Sequence, residues 1–149
     1  MSRVALLDVN VLVPLFKAGH THHQAAHDWF AENAEFGWAS CPITENGVLR
    51  ILANPLRADP FVALADLVQR LKAFCNAGHH QFWPDSISLV DETLFNASAF
   101  RGHQQLTDVY LLGLAVKHGG RFVTFDQRIP LAAVHGATRA SLEVLSLAE

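Results

Sequence analysis

Two short apolar runs dominate the hydrophobic pattern: Val4-Ala5-Leu6-Leu7, which ends at Asp8, and Phe122-Val123-Thr124-Phe125, which ends at Asp126. Each is too short for a helix and lacks helical caps, so residues 3–8 and 121–125 read as buried strands. After the first, Asn10 to Lys17 predicts a helix in which Pro14 is tolerated near the start or as a kink. Gly19-His20 breaks it. Thr21 is then placed to N-cap a helix running to Glu35, with Ala25, Ala26, Trp29 and Phe30 inward and Asp28, Glu32 and Asn33 outward. Phe36 to Ser40 predicts a second strand.

Pro42 suits the first turn of the next helix, whose stripe is Ile43, Val48, Leu49 and Leu52 and whose stop is Asn54-Pro55. A loop carrying an exposed Arg57 leads to Asp59-Pro60. Residues 61–74 form the cleanest amphipathic pattern, with Leu64, Leu67, Val68 and Leu71 predicted inward and Gly78 closing the segment. Residues 81–83 predict a third short strand, and residues 91–99 a helix. Arg101 to Gln105 reads as a polar loop. Thr107 is expected to N-cap a helix to His118 that Gly119-Gly120 terminates, and residues 142–147 predict the last strand. Alternating strands and helices imply one α/β domain over residues 1–149, built on a largely parallel sheet.

Four acids disturb this pattern. Asp8 and Asp126 stand at the ends of predicted strands, where sites form in parallel sheets. Glu45 and Asp108 stand in or near the first turns of helices. The residues three, four and seven positions beyond each are apolar, so both acids share a core-facing stripe. One such acid is ordinary, because a helix N-terminus favours negative charge. Four together are not, since a buried carboxylate is costly unless paired or bound to metal. Two carboxylates about 5 Å apart repel by roughly 3 kcal/mol at an effective dielectric of 20. Convergence would therefore call for a cation, and oxygen ligands alone select Mg²⁺ or Mn²⁺. Such a centre suits hydrolysis of a phosphate ester by an activated water. Asn10, Arg50, Thr107 and Thr124 are the polar neighbours placed to orient an acid or meet a phosphate.

Composition changes this picture little. Half the residues are hydrophobic and mean hydropathy is +0.18, which argues against disorder. No apolar run approaches the ~20 residues of a membrane span. Asp8 interrupts the N-terminal run before a signal-peptide core can form, so a cytoplasmic protein is expected. The net charge of −3 becomes about neutral once the four acids are set aside, and leaves a polyanionic substrate open. Cys41 and Cys75 are too few for a disulfide framework and read as reduced thiols. Asn96-Ala97-Ser98 matches a glycosylation acceptor and is read as chance.

Three ordered stretches carry a resemblance. Leu6-Leu7-Asp8-Val9-Asn10-Val11-Leu12, Thr44-Glu45-Asn46-Gly47-Val48-Leu49-Arg50 and Leu106-Thr107-Asp108-Val109-Tyr110-Leu111-Leu112-Gly113-Leu114-Ala115, followed by Gly119-Gly120-Arg121-Phe122-Val123-Thr124-Phe125-Asp126, resemble the PIN-domain ribonucleases, in particular the VapC-type toxins of bacterial toxin–antitoxin pairs. The resemblance implies a three-layer α/β/α fold with a central parallel sheet of about five strands. It also implies Mg²⁺- or Mn²⁺-dependent endoribonuclease activity on transfer or ribosomal RNA, a homodimer, and a cognate VapB-like antitoxin. Carried over, Asp8 and Asp108 are the principal metal ligands, Glu45 a further ligand or water-positioning group, and Asp126 the fourth acid and the one most readily dispensed with. Asn10 stands where the family often has a small hydroxyl residue, and Gln127-Arg128-Ile129-Pro130 departs from the family pattern.

Rival readings remain open from sequence. His20, His22, His23 and His27 cluster at one helix start. His23 and His27 sit at metal-sharing spacing, but without the accompanying Glu or finger-spaced Cys of zinc motifs, so a polar face that meets a partner is preferred. A non-enzymatic binding module on the same fold is a second rival, which the retention of all four acids disfavours. A third is a phosphatase with Asp8 as nucleophile. It would need a second Asp at position 10 and a nearby lysine, where this chain has Asn10 and only Lys17, Lys72 and Lys117. Part of the surface of the 61–74 segment, with Trp29 or Trp83, is a candidate interface.

Overall fold

Five strands form one sheet in the order β3-β2-β1-β4-β5, with every pairing parallel. They are β1 (Ala5–Leu7), β2 (Trp38–Ser40), β3 (His80–Phe82), β4 (Arg121–Thr124) and β5 (Leu142–Val144). Among the described residues five α-helices accompany them: α1 (Val9–Phe16), α2 (His23–Asn33), α3 (Pro42–Ala53), α4 (Leu64–Cys75) and α5 (Leu106–Lys117). This is a computed structural model, which describes residues 3–56 and 62–146. Arg57, Asp59-Pro60, Phe61 and the end of the predicted 142–147 strand lie outside the described residues.

Side-chain alternation along β1 divides the core in two. Ala5 and Leu7 pack with Trp38, Val123 and residues of α1 to α4, whereas Leu6 packs with Phe122 and the buried residues of α5. By the same alternation Asp8 and Thr124 belong to the α5 face, and Ser40 to the Trp38 face. The strand order reverses at β1, with β2 and β3 on one side and β4 and β5 on the other. In open parallel sheets ligands bind at such a switch point, outside the carboxyl ends of the strands.

α1 begins immediately after β1. Asp8 is its N-cap, with Oδ1 accepting a 2.7 Å bond from the Val9 amide, while its own amide continues the sheet ladder to Val123. Pro14 lies near the end of α1 and gives up only the helical bond to the Asn10 carbonyl. α3 starts with Pro42 at its first position, as expected. Its capping comes from Thr44, whose hydroxyl accepts from the Cys41 amide at 3.0 Å.

Four expectations are corrected. Thr21 does not cap α2, whose N-cap is His22 without a side-chain bond, and Thr107 is the second residue of α5 rather than its cap. Residues 91–99 do not form an α-helix. Asp91 instead folds the chain into a turn by accepting from the Thr93 amide and hydroxyl, and Phe95 inserts against Gly113 of α5. On α4 only Leu67 and Leu71 are buried, whereas Leu64 and Val68 are 58% and 42% exposed. α4 thus presents apolar side chains to a surface groove shared with Leu49 and Ala53 of α3.

Candidate functional site

Three of the four acids converge at the switch point. Asp8 directly follows β1, Asp126 lies two residues beyond β4, and Asp108 comes from the first turn of α5 on the same face of the sheet. The Thr124 hydroxyl organises them. It donates to Asp8 Oδ2 at 2.7 Å and accepts from the Asp126 amide at 3.0 Å and from Asn10 Nδ2 at 3.2 Å. The Asn10 carbonyl oxygen in turn accepts from the Phe125 amide at 3.1 Å. The loops that follow β1 and β4 are therefore bound to one another through two polar side chains.

Asp8 is only 7% exposed, and burial raises its pKa, with the Asp126 charge adding to the effect and the Thr124 and Val9 hydrogen bonds opposing it. Asp108 is pushed up to about 7, first by burial, then by the Asp8 charge and by its contact with Asp126. Among the described residues, the ion-pair partner of the trio is Arg128, 3.7 Å from Asp126 and largely exposed. Carboxylates clustered against burial could hold a hard divalent cation. The three do not all approach within 4.8 Å of one another.

Glu45 is not brought to this group. Its carboxylate accepts a 2.6 Å hydrogen bond from Ser40 Oγ, which projects to the opposite face of the sheet, and its neighbours there are Cys75 and His80. The adjacent α3 residues Asn46 and Arg50 instead line a cavity that opens beside Asp8 together with Asp85 and Thr107. A second cavity opens beside Asp126, lined by Arg101, His103, Gln105 and Arg128. Among the described residues no lysine lines either cavity, as an aspartyl-phosphate site would require. Asp85, Asn46, Arg101, His103 and Arg128 were not among the site residues expected from sequence. Only Arg128 gave a local signal, two residues beyond Asp126, whose Oδ1 accepts from the Arg128 amide at 2.9 Å.

The histidine cluster is occupied with contacts of its own. His23 Nδ1 lies 2.6 Å from the Pro14 carbonyl oxygen, and the His20 ring accepts from the His22 amide. His22 packs edge-on against Phe125, beside the aspartates, with ring centroids 4.1 Å apart. Among the described residues no third ligand joins His23 and His27.

The PIN domain family matches residues 5–135. Ribonuclease VapC44 of Mycobacterium tuberculosis (strain ATCC 25618 / H37Rv) is 43% identical over 141 residues, covering 95% of this chain and 99% of that protein. Ribonuclease VapC39 of the same strain is 39% identical over 132 residues, covering 89% and 95%. Ribonuclease VapC38 is 43% identical over 123 residues, covering 83% and 85%.

Proposed function

This chain belongs to the PIN-domain family, among its VapC-type ribonucleases, and from that membership we propose that it is the toxin of a type II toxin–antitoxin pair, hydrolysing RNA phosphodiester bonds at the three-aspartate centre. The observation that carries this reading is the convergence of Asp8, Asp108 and Asp126 at the sheet's switch point, with Asp108 pushed up to about 7 by burial and then by the neighbouring carboxylates. The family is generally metal-dependent, and the finer assignment to Mg²⁺ or Mn²⁺ rests on the all-oxygen donor set. Asp8 and Asp108 would hold the ion, with Asp126 reaching it directly or through water. Bound there, such an ion supplies charge for a phosphoryl oxygen and a more acidic water.

The remaining work falls to the chain's own groups. Thr124 and the Val9 amide hold the two oxygens of Asp8 in a fixed plane, so the carboxylate needs no reorganisation when the substrate arrives. Asn10 holds the loop after β4 in register with that plane. Arg50 and Thr107 on one side, and Arg101, His103 and Arg128 on the other, flank the aspartates where successive phosphates of a single strand would pass. Cleavage by an in-line water leaves 5′-phosphate and 3′-hydroxyl ends. The substrate class is transfer or ribosomal RNA. Glu45 stays outside the ion's ligand set in this reading, because Ser40 holds it on the other face.

The exposed Leu64 and Val68, above the groove with Leu49 and Ala53, supply an apolar surface for a second copy of the chain or for a VapB-like antitoxin. No described helix is long and apolar enough to cross a membrane, and a cytoplasmic setting accords with an RNA target. Sequencing of 5′-phosphate RNA ends after induced expression tests the proposal. New ends should accumulate at defined positions with the native chain and be absent with Asp8→Asn. Equal cleavage by both would overturn it.

A further inference from the structure

On the sheet face opposite the aspartates, Glu45, Cys75 and His80 come together from three elements: the first turn of α3, the last residue of α4 and the first residue of β3. Their ligand atoms all lie within 4.8 Å of one another. Each residue is half-buried, so the group is accessible to an ion while its stems are fixed by packing. The His80 ring tilts against Trp38 with centroids 4.5 Å apart, and Phe74, next to Cys75, packs on the same indole at 5.0 Å. Ser40 Oγ sits at the centre, 2.6 Å from Glu45 Oε2 and 2.8 Å from His80 Nε2. Among the described residues no other set of three His, Cys, Asp or Glu side chains converges this tightly.

Thiol, imidazole and carboxylate together are a different donor set from three carboxylates. A thiolate sulfur is a poor ligand for Mg²⁺, whereas a Cys, a His and a carboxylate suit Zn²⁺, with ligand distances of about 2.0–2.3 Å. We propose that Glu45, Cys75 and His80 form a zinc site, completed by one water, that is separate from the aspartate centre. Closing on the ion draws the three side chains inward by up to about 1 Å, given the zinc ligand distances. It replaces the Ser40–His80 contact and leaves the Ser40 hydroxyl donating to Glu45 as the group that orients this ligand. No electron or group transfer is involved; the Cys75 proton leaves to solvent as the metal–sulfur bond forms. The ion would tie the end of α4 and the edge strand β3 to α3, the helix that carries Asn46 and Arg50 to the cavity beside Asp8. This inference stands without the nuclease reading.

The test is titration of the metal-free full-length chain with Zn²⁺ alone, and with Co²⁺ as a spectroscopic probe, in an excess of Mg²⁺ that occupies the aspartates. One equivalent of Zn²⁺ should bind, and Co²⁺ should give a near-ultraviolet sulfur-to-metal absorption band. Cys75→Ser should abolish the band, and His80→Gln should weaken Zn²⁺ binding by more than ~10-fold. Asp108→Asn should leave both unchanged. Should Cys75→Ser fail to fold, the His80→Gln affinity and the native cobalt band decide the matter. No cobalt–sulfur band in the native chain, affinity unaffected by His80→Gln, or loss of binding in Asp108→Asn would each overturn the site.

Discussion

Thr124 Oγ1 donates a 2.7 Å hydrogen bond to Asp8 Oδ2 across the β1–β4 pair, which places a hydroxyl from one strand end against a carboxylate from the other. The bond is buried and its acceptor is charged, a combination worth about 1.5–3 kcal/mol. Thr124→Val keeps the shape and removes the donor. It should lower RNA cleavage roughly tenfold to a hundredfold if that energy is lost from the reactive arrangement. Thr124→Ser should retain most of the activity. Initial rates on a single-stranded oligonucleotide separate the two, and equal losses would show that the methyl group, not the hydroxyl, matters.

The proton on Asp108 sets a pH dependence. Its pKa is raised from 3.8 to about 7 in the folded chain, so the native state binds this proton more tightly than the unfolded state does. The resulting stabilisation is fully present below about pH 3.8 and is lost as pH rises through 7. In metal-free protein, Tm should fall between pH 5 and pH 8 more steeply for the native chain than for Asp108→Asn. Mg²⁺ should reverse that fall, because it takes the place of the proton. Calorimetry across this range checks both statements; identical profiles for native and variant chains would contradict the first.

Gly47 brings α3 close to the start of α1. A Cβ at this position would lie 2.6 Å from Val9 Cγ2. Gly47→Ala should destabilise the fold by about 1–3 kcal/mol through overpacking. Val9→Ala added to it should recover part of that loss, so a double-mutant cycle by urea unfolding should show coupling between the two positions. Additive effects would mean that the helices separate without touching Val9.

Leu64 and Val68 should behave as surface residues for folding. Leu64→Ser and Val68→Thr are expected to shift stability by no more than about 0.5 kcal/mol, whereas Leu67→Ala should cost about 2–5 kcal/mol. If the exposed pair forms an interface, its replacement should lower self-association or antitoxin binding in sedimentation experiments while leaving chain stability intact.

The contrast between these residues marks what the sequence could convey. Apolar runs bounded by polar residues disclosed β1 and β4, because burial on both faces leaves a continuous signature. Periodicity located α4 but not its partner: a stripe of four apolar residues reads the same whether a core or an open groove lies beneath it. Glu45 shows a similar limit. Its spacing from Val48, Leu49 and Leu52 correctly put it on an inward stripe, yet the sheet has two inward faces, and the choice depends on Ser40 and on where β3 pairs. Residues 91–99 lost their predicted helix to local competition, since the Asp91 carboxylate satisfies Thr93 in a turn. Cys75 and His80 lie thirty or more positions from Glu45, and no local pattern announces their meeting.

Asp8 is the single residue between β1 and α1, caps that helix and supplies the innermost acid, with no residue to spare between these duties. A single inserted residue there would swing the carboxylate to the other side of the sheet, so this junction must tolerate no change in length. The choice of an inactive control follows from the same economy of chain. Asn at position 8 keeps an oxygen for the Val9 amide, whereas Ala would loosen the helix as well and confound lost chemistry with lost structure.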